Sequence, residues 1–147
     1  LVGIDGNAKM SKSRRNAIYL KDDAKTVEKK VRSMYGGPPR AANEPGKVEE
    51  NPIFLYFDAF YPDKEEVKDL KERYEREGVP NAELKTKLAK ALNEFLDPIR
   101  DRRARYESNM RLVRDALEAG TKRARAIAQE TMEMVRDALD LNYLSKY

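Results

Sequence analysis

The sequence predicts an all-α fold, a helical bundle preceded by a short non-helical loop, and three observations predict it. Apolar residues recur at three- and four-residue spacing from about residue 27 onward, the period of amphipathic helices. Most glycines and prolines fall between those periodic stretches, where they punctuate. Charged residues make up 38% of the chain and aromatic residues 8%, a balance that suits helices with long solvated faces. The 147 residues allow one domain with a real core but are few for an enzyme with separate catalytic and recognition domains. There is no cysteine, so nothing here depends on a disulfide or thiolate, and a reducing cytoplasm is compatible with that. There is no histidine, which removes the commonest general base and metal ligand. No apolar stretch approaches the roughly 20 residues of a membrane span. The net charge of +4 fits a nucleic-acid partner only if the basic residues cluster, because counterion release depends on local phosphate contacts.

The elements follow in order. Leu1-Val2-Gly3-Ile4 reads as a strand cut loose from its sheet, so the chain is expected to be the C-terminal part of something larger. Asp22-Asp23 offers an N-cap to a helix carrying Val27, Val31 and Met34 and ending at Gly36-Gly37. Gly36 to Gly46 is a proline-rich connecting loop. Asn51-Pro52 then opens a helix in which Ile53, Phe54, Leu55, Tyr56, Phe57 and Phe60 crowd together, which implies a buried central helix. Pro62-Asp63 starts another, with Val67, Leu70 and Tyr74 as its stripe, a Glu72–Arg76 pair outside and Gly78 as its stop. The longest helix spans about Ala82 to Glu107 with Leu84, Leu88, Ala91, Leu92, Phe95 and Ile99 on one face and a kink expected at Pro98. Arg102 projects on to that stripe and is expected to find a carboxylate partner. Met110 to Glu118 is a shorter helix that Gly120 terminates. Thr121 then caps a last one, whose stripe of Ala124, Ile127, Ala128, Thr131, Val135, Ala138 and Leu139 permits close packing.

Lys9-Met10-Ser11-Lys12-Ser13 carries the chemistry. Two ammonium groups and two hydroxyls stand within five residues, with Asp5-Gly6-Asn7 upstream as a turn and Arg14 and Arg15 downstream, an arrangement suited to clamping phosphate. A solvated basic loop is the plain alternative for any such short match.

Ala8 to Ser13, followed by Asn16-Ala17-Ile18-Tyr19-Leu20 and Asp22-Asp23, resembles the KMSKS signature loop of class I aminoacyl-tRNA synthetases, in the version of the tryptophanyl-tRNA synthetases. That loop usually has Gly before the Asn, where this chain has Arg15. Asn51 to Phe60, Lys87 to Leu96 with Pro98-Ile99-Arg100 and Arg102-Arg103, and the ending Leu141-Asn142-Tyr143 extend the resemblance over nearly the whole chain.

The resemblance implies the following. Residues 1–20 are the edge of a Rossmann-type α/β catalytic domain and 21–147 a helical anticodon-binding domain. Lys9 and Lys12 are catalytic, steadying the pyrophosphate leaving group, and Lys9, Met10, Ser11, Lys12 and Ser13 bind ATP, with Met10 anchoring the loop. Mg²⁺ accompanies ATP without a protein ligand in this segment. Arg100, Arg103, Arg105, Lys122, Arg123 and Arg125 are the candidate contacts to tRNA(Trp). The parent enzyme uses tryptophan, is cytoplasmic and forms a homodimer, and this segment alone is inactive. A tyrosyl-tRNA synthetase fragment, or a stand-alone helical RNA- or protein-interaction module, is the alternative.

Overall fold

The computed structural model describes residues 1–41 and 44–141. Among them there is no strand. The elements are α1 (Ala24–Arg32), α2 (Ile53–Phe60), α3 (Lys64–Arg76), α4 (Asn81–Ser108) and α5 (Met110–Ala138), with a 3₁₀ turn at Val48–Glu50. The chain forms two compact units, Leu1–Arg103 and Ala104–Tyr147.

In the first unit the helix starts follow their capping residues. The Asp23 side chain accepts from the Thr26 N–H, and Asp63 accepts from the N–H groups of Glu65 and Glu66. Asn51 caps α2 from one residue further out than expected, its Oδ1 accepting from the Ile53 N–H while its Nδ2 donates to the Tyr74 hydroxyl and Asn81 Oδ1. Arg40 ties the proline-rich loop down by donating to the Tyr74 hydroxyl and the Val79 carbonyl, its guanidinium 4.2 Å from the Tyr74 ring centre. α3 ends with Gly78 at φ +79°, the left-handed conformation that closes many helices.

One core collects Val27, Val31 and Met34 around α1, Ile53, Phe54, Tyr56 and Phe57 of α2, Val67, Leu70 and Tyr74 of α3, and Leu84, Leu88, Leu92 and Leu96 of α4. The last four form an i, i+4 row, a ridge that seats in a groove between neighbours. Leu96 therefore takes the core place expected of Phe95, which stays half exposed with its ring 5.2 Å from that of Phe60. Leu55 likewise faces outward, so α2 is buried on one side only.

Four other expectations are corrected. Leu1–Ile4 is no strand: the Ile4 N–H donates to the Asn16 carbonyl and its own carbonyl accepts from the Tyr35 N–H, isolated bonds to two loops instead of a ladder. Arg102 is exposed, because the α4 row stops contributing to the core at Ile99. Glu72 yields to Glu77 as the partner of Arg76. α5 runs unbroken through Gly120 and Thr121, since one helical glycine costs only about 1 kcal/mol against the good helix formers on either side. As expected, α4 runs across Pro98; the ring is exposed, so the carbonyl it leaves unpaired can turn to water.

The second unit contains the end of α4 and all of α5. Every residue of α5 is exposed except Val113 and Gly120, so its small-residue stripe is open in this chain. The expected ending Leu141-Asn142-Tyr143 lies, beyond Leu141, outside the described residues.

Candidate functional site

The segment from Gly3 to Ala17 folds into a loop of two turns held from below. In the first turn the Gly6 N–H donates to the Gly3 carbonyl at 2.9 Å and the Gly3 N–H to the Asn7 carbonyl at 2.8 Å. Asp5 Oδ1 accepts from the Asn7 N–H at 3.1 Å, and its Oδ2 accepts from Asn7 Nδ2 at 2.7 Å. In the second turn the Arg15 N–H donates to the Lys12 carbonyl at 3.1 Å, and Ser11 Oγ lies 3.2 Å from Ser13 Oγ and accepts from the Arg14 N–H.

Asn16 joins the two turns. Its side chain is buried, 2% exposed. Oδ1 accepts from the Ser11 N–H at 2.9 Å, and Nδ2 donates to the Lys9 carbonyl at 3.0 Å and to Asp5 Oδ1 at 2.9 Å. Gly3 makes room for this amide: a Cβ there would lie 2.2 Å from Asn16 Nδ2. Arg15 takes φ +53°, a conformation that costs a side-chain-bearing residue about 1–2 kcal/mol.

The predicted site residues are thereby placed. Lys9, Lys12 and Ser13 are exposed, Ser11 is half-buried, and Met10 packs against the core as the loop's anchor. Neither lysine meets a carboxylate among the described residues, so both ammonium groups face solvent. Asn7 and then Asn16 hold the Asp5 carboxyl below its ordinary value by hydrogen bonding to the charged form. Tyr56 anchors the base of the loop from α2, donating to the Val2 carbonyl at 2.6 Å, and burial, helped by the Asp5 charge, pushes its hydroxyl up to about 12.

Behind the loop, Lys30 pairs with Asp22, donates to the Ala17 carbonyl at 2.9 Å and sits 4.3 Å above the Tyr19 ring. Arg100, read as a basic surface residue, has its guanidinium engaged there. Nε donates to the Asp22 carbonyl at 2.9 Å, and the two terminal nitrogens to Asp97 and Asn93 at 2.7 and 2.8 Å. Arg103 has an interaction of its own. Arg105, Lys122, Arg123 and Arg125 are exposed on the second unit. At about 100° per residue Lys122 and Arg125 share one face of α5, and Arg123 stands off it. Among the described residues no group of three or more His, Cys, Asp or Glu could hold a metal ion. A cavity of about 700 Å³ runs along α1 and α4, lined by Glu28, Arg32, Lys85, Asn93 and Glu94 among others, and takes in no residue of the loop.

A family model described as tRNA synthetases class I (W and Y) matches residues 1–97, which include the loop and α1 to α3. The chain belongs to this family. Within it, the chain is 50% identical over 143 residues to a tryptophan–tRNA ligase of Chlamydia caviae, covering 97% of this chain and 41% of that protein. It is 52% identical to that of Treponema pallidum, over 97% of this chain and 42% of the relative. The crystal structure of tryptophanyl-tRNA synthetase from Campylobacter jejuni complexed with ADP and tryptophan superposes with a TM-score of 0.82 at 29% identity, over 95% of this chain and 43% of that one. This class I chain thus spans about two fifths of the length of the relatives it matches.

Asn16, Asp5 and Gly3 escape a reading by residue type, since none is a nucleophile, base or cation. Their signal is positional: an amide directly after the loop, and a glycine and a carboxylate directly before it.

Proposed function

We propose that this chain is the ATP-loop and helical portion of a tryptophan–tRNA ligase. The tryptophan carboxylate attacks the α-phosphorus of ATP, the bond to the β-phosphate oxygen breaks, and pyrophosphate leaves. The aminoacyl group of the adenylate then passes to a ribose hydroxyl of tRNA(Trp), releasing AMP. In the first step negative charge builds on pyrophosphate, and preplaced cations and donors aimed at it lower the barrier. Lys9 and Lys12 supply the charge, Ser11 and Ser13 hydroxyl donors, and Met10 the anchor.

The observation that carries this reading is the exposed pair of ammonium groups on a backbone held by a buried amide, Asn16. The described residues do not fit a metal site of their own, so any Mg²⁺ would arrive on the triphosphate. Contacts to the tRNA are proposed at Arg105, Lys122, Arg123 and Arg125 on the second unit, and at Arg103. For Arg100, whose guanidinium is already occupied by three acceptors, a tie between α4 and the start of α1 is the better-supported role. The homodimer and the cytoplasmic setting come with the same proposal. A tyrosine-specific or stand-alone reading is less favoured, because relatives matched over 97% of the chain carry the tryptophan name.

The test is Lys12→Ala in the full-length ligase. Tryptophan-dependent adenylation, followed in single turnover, is expected to slow roughly 100-fold with little change in ATP affinity. A rise in the Michaelis constant for ATP alone would mean uniform binding and would sink the assignment.

A further inference from the structure

A loop that receives phosphate has no evident use for a carboxylate, whose charge repels the ligand. Asp5 nevertheless lies within the loop and donates nothing to it. Its value becomes apparent from the amide it faces. An Asn side chain can be turned over, exchanging its oxygen and nitrogen, and only one orientation suits this site. With Nδ2 toward Asp5 and Lys9, the amide donates to two oxygens while Oδ1 receives the Ser11 N–H. Turned over, oxygen would face both of those acceptors, and the Ser11 N–H would meet a donor. A carboxylate only accepts, so Asp5 reinforces the orientation that the Lys9 carbonyl and the Ser11 N–H already favour. Asn7 fixes Asp5 in turn through two bonds.

The two backbone groups gripped by Asn16, the Lys9 carbonyl and the Ser11 N–H, flank Met10 on either side. Met10 packs on the core, so the strand of chain between Lys9 and Ser11 is pinned at three adjacent points. We infer that Asn16 and Asp5 are positioning residues of the phosphate loop: Asn16 fixes the backbone from which Lys9 and Ser11 project, and Asp5, as the second acceptor of Nδ2, holds the Asn16 amide in place. The inference rests on the function proposed above for its ligand, the phosphates of ATP, while the clasp itself is a property of this chain.

The test uses Asn16→Asp alone and combined with Asp5→Asn. The single change removes the Nδ2 donor and sets two carboxylates together. The added change returns a donor between positions 5 and 16, leaving the Lys9 carbonyl and the exposed Asn7 N–H without their former partners. In the 147-residue chain, exchange of the Ser11 amide hydrogen is expected to speed up at least ~10-fold in Asn16→Asp and to recover most of its protection in the double variant. In the full-length ligase, kcat for tryptophan-dependent ATP–pyrophosphate exchange is expected to fall roughly 10- to 100-fold, with the Michaelis constant for ATP within about threefold, and to recover in the double variant. Circular dichroism checks the fold. Should Asn16→Asp unfold the chain, Asp5→Ala, which leaves the amide its bonds to Lys9 and Ser11 but removes its second acceptor, is expected to give smaller losses in the same direction. Unchanged Ser11 exchange, or a double variant no better than the single one, overturns the inference. A wild-type ligase without exchange activity would overturn the functional reading instead, and Ser11 exchange in the chain would still decide the clasp.

Discussion

The Gly3–Ala17 loop and helix α5 present cationic side chains by opposite means. Between Gly3 and Asn16 there is no regular ladder, and the backbone groups find partners in side chains: Asn16 for Lys9 and Ser11, Asp5 for Asn7, Ser11 for Arg14. α5 satisfies its own backbone for 29 residues and buries none of its side chains in this chain. Lys9 and Lys12 are therefore placed by a buried amide and an anchored methionine. Lys122 and Arg125 are placed only by helical periodicity. A residue's neighbours thus matter at the loop, and its propensity matters on α5.

The largest effect that should separate the two regions comes from apolar truncation. Phe57→Ala in the core of the first unit, at a side chain with no exposed surface, is expected to cost about 3–5 kcal/mol in urea unfolding. Ile127→Ala on α5, 65% exposed, should stay within about 0.5 kcal/mol in the same chain. Similar losses at both positions would show that α5 is covered and would erase the contrast.

Adding a methyl group to a glycine sharpens it. Gly3→Ala drives a Cβ into the Asn16 amide and is expected to destabilise the chain by about 1–3 kcal/mol and to deprotect the Ser11 amide. Gly120→Ala meets nothing within 4 Å and should gain about 1 kcal/mol of helix stability, visible as slower amide exchange across the middle of α5. Opposite signs from the same chemical change are the signature of the two modes.

The smallest effect is acid sensitivity. Hydrogen bonds from Asn7 and Asn16 lower the Asp5 carboxyl below its ordinary 3.8. A group depressed in the folded state contributes stability above its unfolded value, and that contribution fades as pH falls through the lowered folded value. The side-chain amide resonances of Asn16 should accordingly titrate below pH 3.8, while the central amides of α5 stay unmoved. In Asp5→Asn that titration should vanish.

Much of this was legible in advance. Asp23 and Asp63 cap the helices they precede, and the stripes of α1 and α3 are buried as their spacing required, because capping and periodicity act within a few residues. Where the reading failed, competition had to be weighed. Gly120 looks like a helix stop until its small penalty is set against the formers around it. Phe95 and Leu96 are equally plausible core residues until the i, i+4 row of leucines meets its groove. Arg100 looks like a surface cation because the Asp22 carbonyl it grips is 78 residues away.

By itself, then, the sequence determined the helical character of the described residues, most helix starts and the cationic and hydroxyl make-up of the loop, since these rest on short-range forces and side-chain types. Only the tertiary structure decided how the loop is held. Asn16, Asp5 and Gly3 carry no reactive group, and their part depends on bringing position 3 against position 16 so closely that one hydrogen atom in place of a methyl group makes the fit. Such proximity follows from packing, which no single stretch of residues encodes.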